Sequence, residues 1–224
     1  VIFSRKRADA GRHDRDERTT EVLDDYAAEE GLAPSIARGP YDISEAPSGV
    51  ARLDLGSLHI PAVPEVEVRV QADQQGVIQQ VVLVHGTNAL QLGVFAAPRS
   101  EGIWDEVRAE IRQSLVNDGA TAREVEGEYG PELRATVHTQ DGATELRFVG
   151  VDGPRWMVRA VFQGAAAVDP AAAGPLAECL EGLVVDRGQE AKPVREPLPL
   201  RLPREVADQA ESDGDRPAEQ PRQV

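Results

Sequence analysis

Thr144-Glu145-Leu146-Arg147-Phe148-Val149-Gly150-Val151-Asp152-Gly153-Pro154-Arg155-Trp156-Met157-Val158-Arg159-Ala160-Val161-Phe162 reads as a β-hairpin. Asp152-Gly153-Pro154 is a cluster of turn formers, and the runs on either side are rich in β-branched and aromatic residues. Arg147 and Arg159 each lie between apolar neighbours and so fall on the opposite side of their strand from them. Pairing Gly150 with Trp156 across the turn sets Arg147 opposite Arg159. The same parity puts Trp156 on the core side with Phe148, Val158 and Phe162.

Moving toward the N-terminus, Leu133 to His138 and Thr121 to Glu128 repeat the alternation, with Tyr129-Gly130-Pro131 as the turn between them. Before them the period changes to that of a helix. Ile103, Val107, Ile111 and Leu115 recur every four residues as a buried stripe, with Asp105, Glu106, Arg108, Glu110 and Arg112 on the wet side. Ser100 or a neighbour caps this helix and Gly119 ends it. Earlier still, Ala51 to Ile60, Glu65 to Gln71, Val77 to His85 and Leu90 to Ala96 are strand segments, with His85-Gly86-Thr87-Asn88 as a turn. On the C-terminal side, Asp169-Pro170 opens a second helix, Asp as cap and Pro at the first helical place. Leu176, Cys179, Leu180 and Leu183 give it an apolar face. Strands, helix, strands, helix in that order predict an α+β domain over residues 43–187: one antiparallel sheet with two flanking helices.

Both ends differ from this core. Residues 1–42 are polar, with an acidic patch at Glu21, Asp24, Asp25, Glu29 and Glu30, and read as a disordered tail with a short helix between Thr20 and Glu30. Ile2 and Phe3 before Arg5-Lys6-Arg7 give too little basic charge for stable membrane anchoring. Residues 188–224 read as an extended leucine–proline segment followed by a polar tail. In that segment Leu198, Leu200 and Leu202 share a face if the chain is extended. They are candidate partner-binding residues by strand addition, or they dock on their own domain and cover a sheet edge; docking in cis is the preferred expectation.

Three stretches carry a resemblance. Val149-Gly150-Val151-Asp152-Gly153-Pro154-Arg155-Trp156, Asp169-Pro170-Ala171-Ala172-Ala173 and Pro197-Leu198-Pro199-Leu200-Arg201-Leu202-Pro203 resemble an actinobacterial family classed as a domain of unknown function, over about residues 40–205. The element order is also similar to that of Mog1/PsbP-like proteins. That likeness implies a fold in which partner binding is commoner than catalysis, and it brings no site residues.

Composition narrows the function classes. The net charge is −15, so no duplex nucleic acid is expected as a partner, because phosphate binding needs clustered Lys and Arg. One cysteine excludes an intrachain disulfide. No apolar run approaches the ~20 residues of a membrane span, and the first residues do not read as a signal peptide. The expected location is cytoplasmic. Nucleotide-binding glycine loops and the G-x-S-x-G elbow do not occur. Neither cofactor nor metal is implied: one Cys and four scattered His give no zinc spacing.

Among chemistry-bearing residues, His13, His59, His85 and His138 lie on different segments, and Cys179 sits on an apolar helix face where a thiol packs as a small hydrophobe. The sharpest feature is Arg134, Arg147 and Arg159, each opposite in parity to the apolar neighbours of its strand. Like charges facing one another on a sheet call for an anion between them, a small acidic ligand or an acidic partner segment. Alternatively Glu124, Glu126 and Glu128, which also alternate, neutralise them in cross-strand pairs. The leading expectation is a non-enzymatic protein-interaction module with an unknown protein partner, recruited by its tails. The alternatives are a sensor of a small anionic ligand on the arginine face, and an enzyme of unrecognised type using the same arginines with His138 as base.

Overall fold

A computed structural model describes residues 38–73, 78–139 and 142–202. The readings made above for residues 1–37 and 203–224 lie outside these. The elements in chain order are β1 (Tyr41–Asp42), β2 (Arg52–Asp54), β3 (Leu58–Pro61), β4 (Glu67–Ala72), β5 (Ile78–His85) and β6 (Asn88–Ala96), then α1 (Trp104–Asn117). They continue with β7 (Thr121–Gly127), β8 (Gly130–Thr139), β9 (Gly142–Gly153), β10 (Trp156–Gln163), a 3-10 turn (Gly164–Ala167), α2 (Pro170–Glu181) and β11 (Val184–Val185).

The class is α+β, but the strands form two sheets where one was expected. Seven strands make an antiparallel sheet in the order β4-β5-β6-β10-β9-β8-β7. Four short strands make a second sheet, β1-β11-β3-β2, in which β1 and β11 run parallel. The second sheet exists because the chain on either side of the main domain is drawn in: Tyr41 and Asp42 pair with Val184 and Val185.

Each face of the large sheet has its own core. On one, α2 touches β5, β6 and β3, and Leu176, Cys179 and Leu180 pack with Trp156, Val158, Phe162, Leu83, Leu90 and Leu92. On the other, α1 covers β7, β8 and β9, and Ile103 and Trp104 pack with Leu133, Phe148, Met157 and Val161. Phe148 therefore lies across the sheet from Trp156, not beside it. Trp104 seats directly on Gly150; a Cβ there would stand 1.9 Å from the indole, so only glycine lets the helix come so close.

The helix caps differ in origin. Asp169 caps α2 through its carboxylate, accepting from Ala171 N–H at 2.9 Å. No side chain beside α1 does this. Its first N–H groups, Ile103 and Trp104, donate instead to the two carboxylate oxygens of Asp152 on β9, at 2.9 and 3.2 Å. Arg108, read as a solvent-side residue, is 9% exposed and stacks on Trp104 between Asp105 and Glu124.

The leucine–proline segment is part of the folded domain. Arg195 N–H donates to Ala96, Ala96 N–H to Glu196, and Leu198 N–H to Val94, so the segment lies along the end of β6. It then reaches the small sheet, where Ser57 N–H donates to Pro199 and Arg201 N–H to Leu55. Leu198 is 3% exposed in the α2-side core, with Leu200 and Leu202 packed against it. The fold thus extends past residue 187 to at least Leu202. Among the described residues no helix is long and apolar enough to cross a membrane.

Candidate functional site

The site candidate is built by register. In an antiparallel sheet directly paired residues point to the same face, so one row of pairs is one row of side chains. Arg123 on β7 pairs with Arg134 on β8, and Arg134 pairs with Arg147 on β9. The row continues to Phe162 on β10. It lies on the α2 side, where α2 makes its main contacts with β5, β6 and β3 and the 3-10 turn contacts β9.

The arginines differ in setting. Arg147 lies over the Phe162 ring, its guanidinium carbon 4.3 Å from the ring centre, with only 13% of its side chain exposed. Its Nε is 3.4 Å from Oε2 of Glu132, a carboxylate that is itself buried. Burial pushes the Glu132 carboxyl above its ordinary value, opposed by the Arg147 and then the Arg134 charge. Burial likewise lowers Arg147, opposed by Glu132. The pair is charged but poorly solvated, so each ion depends on the other. Tyr129, at the β7–β8 turn, is pushed up to about 12 by burial and then by Glu181. Its hydroxyl, Arg134 Nε and Arg147 Nε are buried with no hydrogen-bond partner among the described residues.

Arg123 is exposed and Arg134 half-buried, and neither has an ion pair among the described residues. Beside them Thr136 donates its hydroxyl to Glu145 at 2.8 Å. Arg123, Arg134, Thr136 and Glu145 border an open cleft of about 130 Å³. Three guanidiniums in consecutive register stand against two carboxylates on the same face, buried Glu132 and cleft-side Glu145, which leaves the face with an excess of positive charge.

The expected grouping of arginines changes. Arg134 and Arg147 share this face, but Arg159 pairs with Gly150 and points to the α1 side, above Phe95. The hairpin closes with Gly153 opposite Trp156, three residues from the expected Gly150. An odd slip turns every side chain of one strand to the other face. Glu124 does not neutralise the row either; it is on the α1 side with Arg108. Glu128 pairs with Arg38. His138 is exposed and four residues along β8 from Arg134, about 14 Å at ~3.4 Å per residue, so it does not meet the arginines.

Three functional-looking residues escaped the sequence reading: Arg123, Glu132 and Tyr129. Arg123 lies between Ala122 and Glu124 and so lacks the apolar neighbours on both sides that mark Arg134, between Leu133 and Ala135. Glu132 carries no such signal, because its burial comes from partners distant along the chain or across the turn, the Gly127 backbone and Arg147. His59 and His85 each approach a single carboxylate, Asp54 at 4.0 Å and Glu65 at 3.7 Å. Among the described residues no cluster of His, Cys, Asp and Glu could hold a metal. Cys179 is fully buried, and burial followed by the Glu178 charge pushes its thiol up to about 12, which leaves no thiolate for chemistry.

A family model described as "Protein of unknown function (DUF3710)" matches residues 39–209. The chain belongs to this family. The match takes in both sheets, both helices and the leucine–proline segment, so the DUF3710 domain ends after that segment and not at residue 187. No curated protein matches the chain.

Proposed function

We propose that this DUF3710 domain is a non-enzymatic protein-interaction module that takes an acidic stretch of a partner chain on the row Arg123, Arg134 and Arg147. The observation that carries the reading is the register of like charges, Arg123 to Arg134 to Arg147, in which Arg123 and Arg134 have no ion pair among the described residues. Neighbouring strands lie ~4.8 Å apart, so the three guanidiniums span about 10 Å. An extended acidic peptide presents carboxylates on one side every ~6.8 Å, which flexible arginine stems can meet. Only Arg123 and Arg134 border the cleft of about 130 Å³, so no single small anion seated there is offered all three guanidiniums. That favours an extended contact along the row over a sensor of a small anion.

Recruitment through the leucine–proline segment is less well supported. Leu198 is already in the core of its own domain, and offering it to a partner would first require opening that core. The enzyme reading loses its base, since His138 stands apart from the arginines.

The test is fluorescence anisotropy with a labelled peptide of alternating Glu and Ser, at low and at physiological salt. Binding that weakens with salt, and at least about tenfold in an Arg123→Glu, Arg134→Glu double variant, is the expected result. Equal affinity for the variant, or no binding to the wild type, would overturn the reading. A rise in melting temperature with inorganic phosphate but no peptide binding would move the assignment to a small anion.

A further inference from the structure

The α1 side of the sheet carries a second arginine that the row does not use. α1 sits mainly over β7 to β9, and the Phe95 end of β6 and the Met157–Arg159 stretch of β10 lie at its margin. Along its margin runs a groove of about 160 Å³ lined by Phe95, Ile103, Val107, Met157, Arg159 and Arg195. Four of the six are apolar, and they belong to the core on this face.

The two arginines are not equivalent. Arg195 is committed: its Nη2 pairs with Glu106 at 2.6 Å and its Nη1 with Glu110 at 2.7 Å, which ties the C-terminal segment to α1. Its backbone is in the left-handed region at φ 70, held by its N–H bond to Ala96 at 2.7 Å. Arg195 is thus a fixed wall with its charge already neutralised. Arg159 has no ion pair or hydrogen bond among the described residues. It lies over the Phe95 ring at 5.2 Å, across from Gly93 and Gly150, and its Nε is buried without a partner. Burial lowers its affinity for a proton and no carboxylate opposes that. An uncompensated cation at the edge of an apolar groove costs free energy that an entering anion would recover.

We infer that this groove is a binding site for a small monocarboxylate with an apolar body, the carboxylate on the Arg159 guanidinium and the body against Ile103, Val107 and Met157. The chemistry selects this class. A phosphate or dicarboxylate would leave charge against apolar walls, and a neutral hydrocarbon would leave Arg159 unpaired. The volume suits a ring or short chain of the size of benzoate or hexanoate rather than a long acyl chain. The site lies on the other face from the row Arg123, Arg134 and Arg147 and stands or falls independently of it.

Met157 is the one methionine in the sequence. With the methionine methyl labelled with ¹³C, the Met157 resonance, identified by its loss in Met157→Leu, reports on the groove. Titration of the full chain with 4-methylbenzoate should move that resonance in a saturable way through the ring current. The neutral isostere 4-methylbenzamide should need at least about tenfold more, since a hydrogen bond to a charged partner is worth roughly 1.5–3 kcal/mol. Arg159→Gln should lose the preference for the acid, while Arg159→Lys keeps part of it. No movement in the wild type, equal response to acid and amide, or an unchanged acid affinity in Arg159→Gln would each overturn the inference. The acid–amide comparison uses the wild type alone, so it holds even if the variants fold poorly.

Discussion

Replacing Leu198 by Ala tests whether the leucine–proline segment is core or appendage. Leu198 is 3% exposed and sits in the α2-side cluster with Val94 and Trp156. The change leaves every backbone bond of the segment available and removes only the isobutyl group. Buried Leu→Ala substitutions cost ~2–5 kcal/mol, the transfer term plus the cavity. A site where the segment is pinned on both sides, to Val94 and to Ser57, collapses poorly, so about 3 kcal/mol is expected. With an m-value of ~2 kcal/mol/M the urea midpoint falls by roughly 1.5 M. The melting temperature falls by about 6–12 °C, at ~2–4 °C per kcal/mol for a domain of this size. Trp104 and Trp156, one in each core, provide the fluorescence signal. Val194→Ala is the control, since Val194 belongs to the same segment but is 51% exposed and should change stability by no more than about 0.5 kcal/mol. A chain ending at Arg187 goes further: it uncovers the backbone of Val94 to Ala96 and should self-associate as well as unfold earlier. Equal midpoints for Leu198→Ala and Val194→Ala would refute the claim that the segment belongs to the core.

Three further outcomes follow from named contacts. Asp152→Ala removes the carboxylate that caps α1 and should cost about 1 kcal/mol in chemical denaturation, with Asp152→Asn restoring part of it. Gly150→Ala drives a Cβ into the Trp104 ring and should cost at least about 2 kcal/mol, with a red shift of the folded-state fluorescence as the indole is displaced. Glu132 is raised above its ordinary 4.5 by burial, so the folded state holds its proton more tightly than the unfolded chain does. This contribution is fully present below pH 4.5 and is lost as pH rises through the higher folded value. Relative to the wild type, Glu132→Gln should therefore flatten that part of the stability profile in urea titrations between pH 4 and 7; a parallel profile would count against the burial of the charge.

Much of the fold could be read because its signals are local. The period of two along Leu90 to Ala96 and Leu133 to His138 is a property of neighbouring residues, and so is the Asp169-Pro170 cap. What could not be read depends on distant partners. The cap of α1 is supplied from 49 positions away, whereas the sequence offered Ser100 or a neighbour. Arg108 looks solvent-facing by helical period, yet Trp104 and Glu124 draw it in. The small sheet arises from the pairing of Tyr41 with Val184, for which neither two-residue stretch has a pattern of its own.

The arginine face shows how one turn governs a site. Asp152-Gly153-Pro154 advertises a turn centred on glycine, because glycine adopts positive φ freely. The hairpin instead turns at Pro154-Arg155, and Arg155 takes the left-handed place at φ 64. Pro at the first central place and a left-handed residue at the second is the type II pattern, which normally asks for glycine there. Arg155 is kept in it from outside: its carbonyl accepts from Ala97 N–H at 2.9 Å and from Arg187 Nε at 3.1 Å, and its own guanidinium donates to Gly188 at 3.0 Å. These tertiary bonds choose between registers that differ by an odd number of residues, and parity does the rest. With the turn centred on Gly153, Arg147 and Arg159 would share a face. With it centred on Pro154-Arg155, Arg147 joins Arg134 and Arg123 above Phe162, and Arg159 is left alone in an apolar groove on the other side. Two candidate binding faces of different chemistry thus follow from the backbone of one residue that contributes to neither.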